Sequence, residues 1–94
     1  MTARVVHCSR ATYDIYVGRP SVWGNPFVVG KDGTREECIE RYRTWIVTQA
    51  ELIGRLHELE GKVLACWCAP KPCHGEVLVE LVEAMVAARQ QEMR

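Results

Sequence analysis

Ninety-four residues, 48% of them hydrophobic, suffice for one small domain with a core. Twelve basic residues cancel twelve acidic ones, which argues against a chain built for sequence-independent binding to nucleic-acid phosphates. No apolar run approaches a membrane span, Met1 to Arg4 shows no signal-peptide pattern, and the cysteine count is odd at five, so the expected setting is the reducing cytoplasm with cysteines as thiols, metal ligands or core residues.

In chain order, Arg4 to Cys8 reads as a first strand centred on Val5 and Val6, and Tyr13 to Val17 alternates as a second. Gly18 to Pro26 is a loop of turn formers, Phe27 to Val29 should add a short extended piece, and Lys31-Asp32-Gly33 should turn the chain. Thr34-Arg35-Glu36-Glu37 is a capping box, opening a helix with Cys38, Ile39, Tyr42, Trp45 and Ile46 on one face. A second helix is expected over Ala50 to Leu59, stopped by Gly61. Lys62 to Trp67 is a buried strand. The last helix runs from about His74 into the Arg89 region, with Val77, Leu78, Leu81, Val82, Met85 and Val86 facing inward. The tail 90–94 should fray.

This order predicts a single α/β domain over 1–94. Its short, mostly parallel sheet of about three strands is packed by two to three helices, as a Rossmann-like fragment. The stretch from Tyr13 to Trp67 is long enough for a right-handed crossover between parallel strands. The loop after the second strand and the loop after the third then share one sheet edge, where α/β proteins commonly bind ligands. A core this small gains from a metal, a tight ligand or a homodimer partner.

Residues 64–78 carry the densest chemistry. Cys66-Trp67-Cys68 closes the apolar strand, a loop with Pro70 and Pro72 follows, and Cys73-His74-Gly75 opens the last helix. Together with Tyr16-Val17-Gly18-Arg19-Pro20 and Trp23-Gly24-Asn25-Pro26-Phe27, this pattern resembles a family of small bacterial and phage proteins, domain-of-unknown-function family 4326, from Val5 to Leu81. The family pattern often has aspartate where this chain has Glu76. The resemblance implies no activity, so the residues carry the functional argument.

Three chemistries are open to them. Cys68, Cys73 and His74 are zinc-type ligands that Cys8 or His7 would complete, although the spacing differs from the common zinc modules. A thiol at a helix N-terminus is activated, so Cys73 or Cys68 with His74 is a nucleophile and base pair; no catalytic residue is assigned on that ground. The third is anion binding: the first helix amides at Gly75 are open, and Arg10, Arg19 and Lys71 lie in the converging loops. In that picture Trp23 is a wall for a planar ligand, Ser21 or Asn25 bonds its edge, and Glu76 caps its own helix or accepts from a ribose; the alternative for this loop is a tight connection in which Trp23 and Phe27 seal the core. Trp45 and Trp67 are expected in the core, Cys38 buried and inert, and His57 at the surface.

The leading expectation is a binding domain for a nucleotide-like or phosphorylated small molecule. Ser9, Arg10, Arg19, Ser21, Trp23, Asn25, His74, Gly75 and Glu76 would line its pocket. The alternatives are a structural zinc module for protein interaction, or a phage- or host-directed inhibitor without catalysis.

Overall fold

In the computed structural model, which describes residues 3–68 and 71–92, the apolar run near 64 becomes the middle of a three-stranded sheet. The strands are β1 (Arg4–His7), β2 (Ile15–Tyr16) and β3 (Val63–Cys66), in the order β1-β3-β2. Both pairings are parallel, with Val5 opposite Leu64 and Ile15 also opposite Leu64. Leu64, Ala65 and Cys66 are all buried. Successive strand residues face opposite sides, so both faces of β3 are covered, which explains an unbroken apolar run in place of an alternating one.

The strands are shorter than the sequence suggests, but their pairing extends further. Cys8 N–H donates to the Cys66 carbonyl, and Val17 N–H to that of Ala65. Asp14 joins the other end of β2 to β3 twice: its N–H donates to the Val63 carbonyl, and its Oδ2 accepts from Val63 N–H at 2.8 Å. Since β1 and β2 run the same way, residues 8–14 carry the chain back from the Cys66 edge to the Val63 edge.

Helix α1 (Arg35–Ile46) starts as its capping box requires: Thr34 Oγ1 accepts from Glu37 N–H, and Glu37 Oε1 accepts from Thr34 N–H. The Thr34 N–H, together with the Thr34 side chain, holds the Glu37 carboxyl below the usual carboxylate range. The expected helix over 50–59 is interrupted. Helix α2 spans only Ala50–Ile53, Gly54 ends it, and Leu56–Leu59 forms a separate 3-10 turn. Glycine's low helix propensity in mid-segment is the physical reason. The expected extended piece at Phe27–Val29 is also absent. Phe27 N–H is taken by Asn25 Oδ1 and Val28 N–H by Asp32 Oδ2, so local side chains hold the amides a strand would have used.

Helix α3 (Gly75–Glu92) runs past the Arg89 region, because Gln90, Gln91 and Glu92 contain no helix breaker. The remainder of the predicted frayed tail, 93–94, lies outside the described residues. Val77, Leu78 and Val82 are fully buried against Tyr42, Ile46, Leu59 and Leu64, while Leu81, Met85 and Val86 pack at the margin. Arg43 bonds Glu80 and Glu40, and Arg89 bonds Glu60 at 2.6 Å. Exposed pairs of this kind orient helices but contribute little stability, about 0–1 kcal/mol each.

Burial thus divides the inner stripe of α3 into two grades. Leu78→Ala should cost about 2–5 kcal/mol in urea denaturation, and Leu81→Ala distinctly less. Equal losses at both positions would contradict this seating of the helix.

Candidate functional site

The ends of β2 and β3 and the starts of α1 and α3 enclose a cleft of about 420 Å³. The Gly18–Phe27 loop forms one side, and its shape is fixed by its own hydrogen bonds. Ser21 N–H donates to the Gly18 carbonyl, Gly24 N–H to the Ser21 carbonyl, and Trp23 N–H to Ser21 Oγ. The Arg19–Pro20 peptide is cis. Two side chains join this loop to α1: Tyr42 Oη donates to the Trp23 carbonyl at 2.8 Å, and Asn25 Nδ2 donates to the Cys38 carbonyl at 3.3 Å.

Several expected ligand contacts are therefore structural. Trp23 is 3% exposed, sits in the core and has the Arg55 guanidinium 6.0 Å from its ring centre, so it presents no open face to a ligand. Asn25 lines the cleft, but both ends of its amide are engaged in holding the loop. Ser21 serves a turn, and Ser9 serves His7: Ser9 Oγ lies 2.9 Å from His7 Nδ1, and Ser9 N–H donates to the same atom. Neither serine lines the cleft, nor do Arg10, Trp23, Gly75 and Glu76.

The start of α3 also differs from the sequence expectation. Glu76 N–H donates to the Cys73 carbonyl, Val77 N–H to the His74 carbonyl, and Leu78 N–H to the same His74 carbonyl. These amides are not open to an anion. A Cβ on Gly75 would lie 3.1 Å from Val5 Cγ2, so the glycine lets α3 approach β1 rather than a ligand.

His74 is 8% exposed and packs edge-on against Tyr42, with ring centres 4.9 Å apart. Its Nε2 lies 2.8 Å from the Val17 carbonyl, to which the neutral ring donates. Burial holds its pKa below the usual histidine value. Cys73 Sγ lies 3.1 Å from Cys66 Sγ, and this contact, with burial, pushes the Cys73 thiol up. A protonated, buried thiol is a poor nucleophile, so the activation expected from the helix N-terminus is outweighed. Among the described residues, no group of three or more His, Cys, Asp or Glu side chains is placed to hold a metal ion. The expected zinc ligands Cys68, Cys73 and His74 all border the cleft, but His74 Nε2 is engaged by the Val17 carbonyl and Cys73 Sγ lies against Cys66 Sγ.

Arg19, Asn25 and His74 are the expected ligand residues that the cleft does gather. The sequence reading missed Arg35 and Trp67. Arg35 was absorbed by the capping box, yet as the first residue of α1 it lines the cleft and donates to the Pro72 carbonyl. Trp67, expected in the core, is 65% exposed at the cleft. It follows the last residue of β3, where alternation turns it away from buried Cys66.

A family model for the domain of unknown function DUF4326 matches residues 3–84, from the start of the sheet well into α3. The chain belongs to that family. It is 34% identical over 87 residues to an uncharacterized 12.4 kDa protein from the nrdA-td intergenic region of Enterobacteria phage T4, covering 87% of this chain and 79% of the relative. It is 33% identical over 86 residues to an uncharacterized protein, R718, of Acanthamoeba polyphaga mimivirus, covering 72% of this chain and 65% of the relative. The chain thus spans under two thirds of the mimivirus protein's length. No solved structure matches.

The buried neutral imidazole ties stability to pH. The unfolded chain binds a proton at His74 more readily than the folded one, so stability is full above the ordinary histidine value of about 6.5 and declines as pH falls below it. His74→Gln keeps a donor toward Val17 and removes the titration. Its midpoint in urea should therefore depend less on pH than that of the wild type across this window. Equal pH dependence in the two proteins would show that His74 does not carry the effect.

Proposed function

We propose that this protein is a small-molecule binding domain whose ligand is nucleotide-like or phosphorylated. The ligand is held between the Gly18–Phe27 loop and the start of α3, with the first turn of α1 as a third wall. The supporting observation is the charge of the cleft lining. Arg19 and Arg35 both border it, no aspartate or glutamate does, and among the described residues neither arginine forms an ion pair. A chain with zero formal net charge thus has a local excess of positive charge at a concave site. Guanidinium groups suit phosphate because their planar donors match its oxygens. Phe27, Val28, Val29 and Ile39 supply the apolar part of the lining.

Two parts of the sequence-level picture change. The anion is met by arginine side chains rather than by helix amides, since those of α3 are already bonded. Zinc has no assembled ligand set among the described residues and takes no part in this reading. We assign the reading no catalytic step. Its natural compartment is the cytoplasm, where nucleotides and reduced thiols coexist; among the described residues, no helix is long and apolar enough to cross a membrane.

Arg19→Ala and Arg35→Ala should each leave the melting temperature of the unliganded protein nearly unchanged. Each should weaken binding of a phosphorylated ligand by about 1.5–3 kcal/mol, the range for hydrogen bonds to charged groups. A calorimetric screen of nucleoside monophosphates, sugar phosphates and their dephosphorylated counterparts provides the measurement. Binding that ignores the phosphate, or that both alanine variants retain in full, would refute the reading.

A further inference from the structure

Trp67 sets the chemical class of the ligand. At 65% it is the most exposed of the large hydrophobic side chains among the described residues, and it borders the same cleft as Arg19 and Arg35. An isolated exposed apolar residue needs no explanation. Trp67 differs because its surroundings hold it in place. The His7 ring meets the indole edge-on, with centroids 5.6 Å apart and planes at 90°. His7 is itself oriented by Ser9, whose hydroxyl and backbone amide both reach Nδ1. Cys66, immediately before the tryptophan, is buried in the central strand and fixes the backbone from which the indole projects. A T-shaped contact engages one edge of the pair and leaves an indole face available for parallel stacking.

The size of the cleft narrows the ligand further. A volume of about 420 Å³ lies near the small end of ligand pockets, which suits a single nucleotide unit rather than a dinucleotide or a strand. We propose that the ligand is a nucleoside monophosphate, its phosphate paired by Arg19 and Arg35 and its base stacked on the exposed face of Trp67. This assignment rests on the anion-binding reading above and distinguishes nucleotides from sugar phosphates within it. It also gives Ser9 and His7 a role as positioning residues: neither contacts the ligand, and together they hold the indole. Base-on-indole stacking tolerates any base, so the platform selects a heteroaromatic ring without choosing among purines and pyrimidines.

The test uses the intact chain with adenosine monophosphate, cytidine monophosphate and ribose phosphate as probes, read by calorimetry and by tryptophan fluorescence. Because Trp67 is exposed, Trp67→Ala should fold normally, which circular dichroism checks. The expected result is that both nucleotides bind the wild type more tightly than ribose phosphate and quench its fluorescence. Trp67→Ala should weaken the nucleotides by about 5- to 150-fold, the range for loss of one base-stacking aromatic, and leave ribose phosphate unchanged. Ser9→Ala, which removes one of the two bonds that orient His7 and keeps the backbone one, should weaken the nucleotides by a smaller factor. If ribose phosphate binds the wild type as tightly as the nucleotides do, and Trp67→Ala affects none of them, the base platform is overturned while the anion site stands. If none of the three probes binds, both proposals are overturned.

Discussion

The contact between His74 and the Val17 carbonyl is the point where the two halves of the site are joined. Val17 ends the pairing of β2, and His74 immediately precedes α3. One bond at 2.8 Å, shielded by Tyr42, therefore sets the distance between the Gly18–Phe27 loop and the last helix. The same tyrosine donates to the Trp23 carbonyl, so one buried aromatic contacts both the loop and the histidine. The low exposure of these groups makes the bond consequential, because an unpaired imidazole or carbonyl there would bear its full desolvation cost.

Because that frame is held from inside, its polar side chains are occupied. Ser21, Asn25 and Tyr42 brace the loop that walls the cleft, and the charged groups left lining it are the guanidinium groups of Arg19 and Arg35. The protein combines a neutral overall composition with a one-signed cavity by placing its compact ion pairs elsewhere, on the outer faces of α1, α3 and the 55–60 segment. Long-range attraction of polyanions is thereby weak, while a small anion entering the cleft meets positive charge unopposed by a local carboxylate.

Much of this fold was legible in the sequence because the signals were local. The Thr34–Glu37 capping box, the apolar run at β3 and the stripe of α3 each specify their own element. The shared edge of the two loops follows from parallel strands alone. The sequence reading and the geometry part where a side chain had two plausible employers. Asn25 and Ser21 look like ligand donors until the amides of Phe27 and Trp23 claim them. The start of α3 looks open until the carbonyls of Cys73 and His74 are seen to accept from it. The exchange of roles between Trp23 and Trp67 could not be read from residue type, since it depends on which ring the tertiary fold covers. Trp67 follows Cys66 at the end of β3, beyond the covered part of the sheet, whereas Arg55 and the core enclose Trp23.

The strand order has a consequence for the way this chain is made. Neither β1 nor β2 has a partner close in sequence; both pair with β3, which begins only at Val63. No hairpin can nucleate the sheet, and on the ribosome the first two strands wait as unpaired chain until the middle strand has been synthesised. Helix α1, with a complete capping box, can form during that interval from local interactions alone. The sheet thus cannot close before Cys66 has been synthesised, and the cleft, which also takes Pro72, Cys73 and His74, cannot be complete until the chain has grown past them.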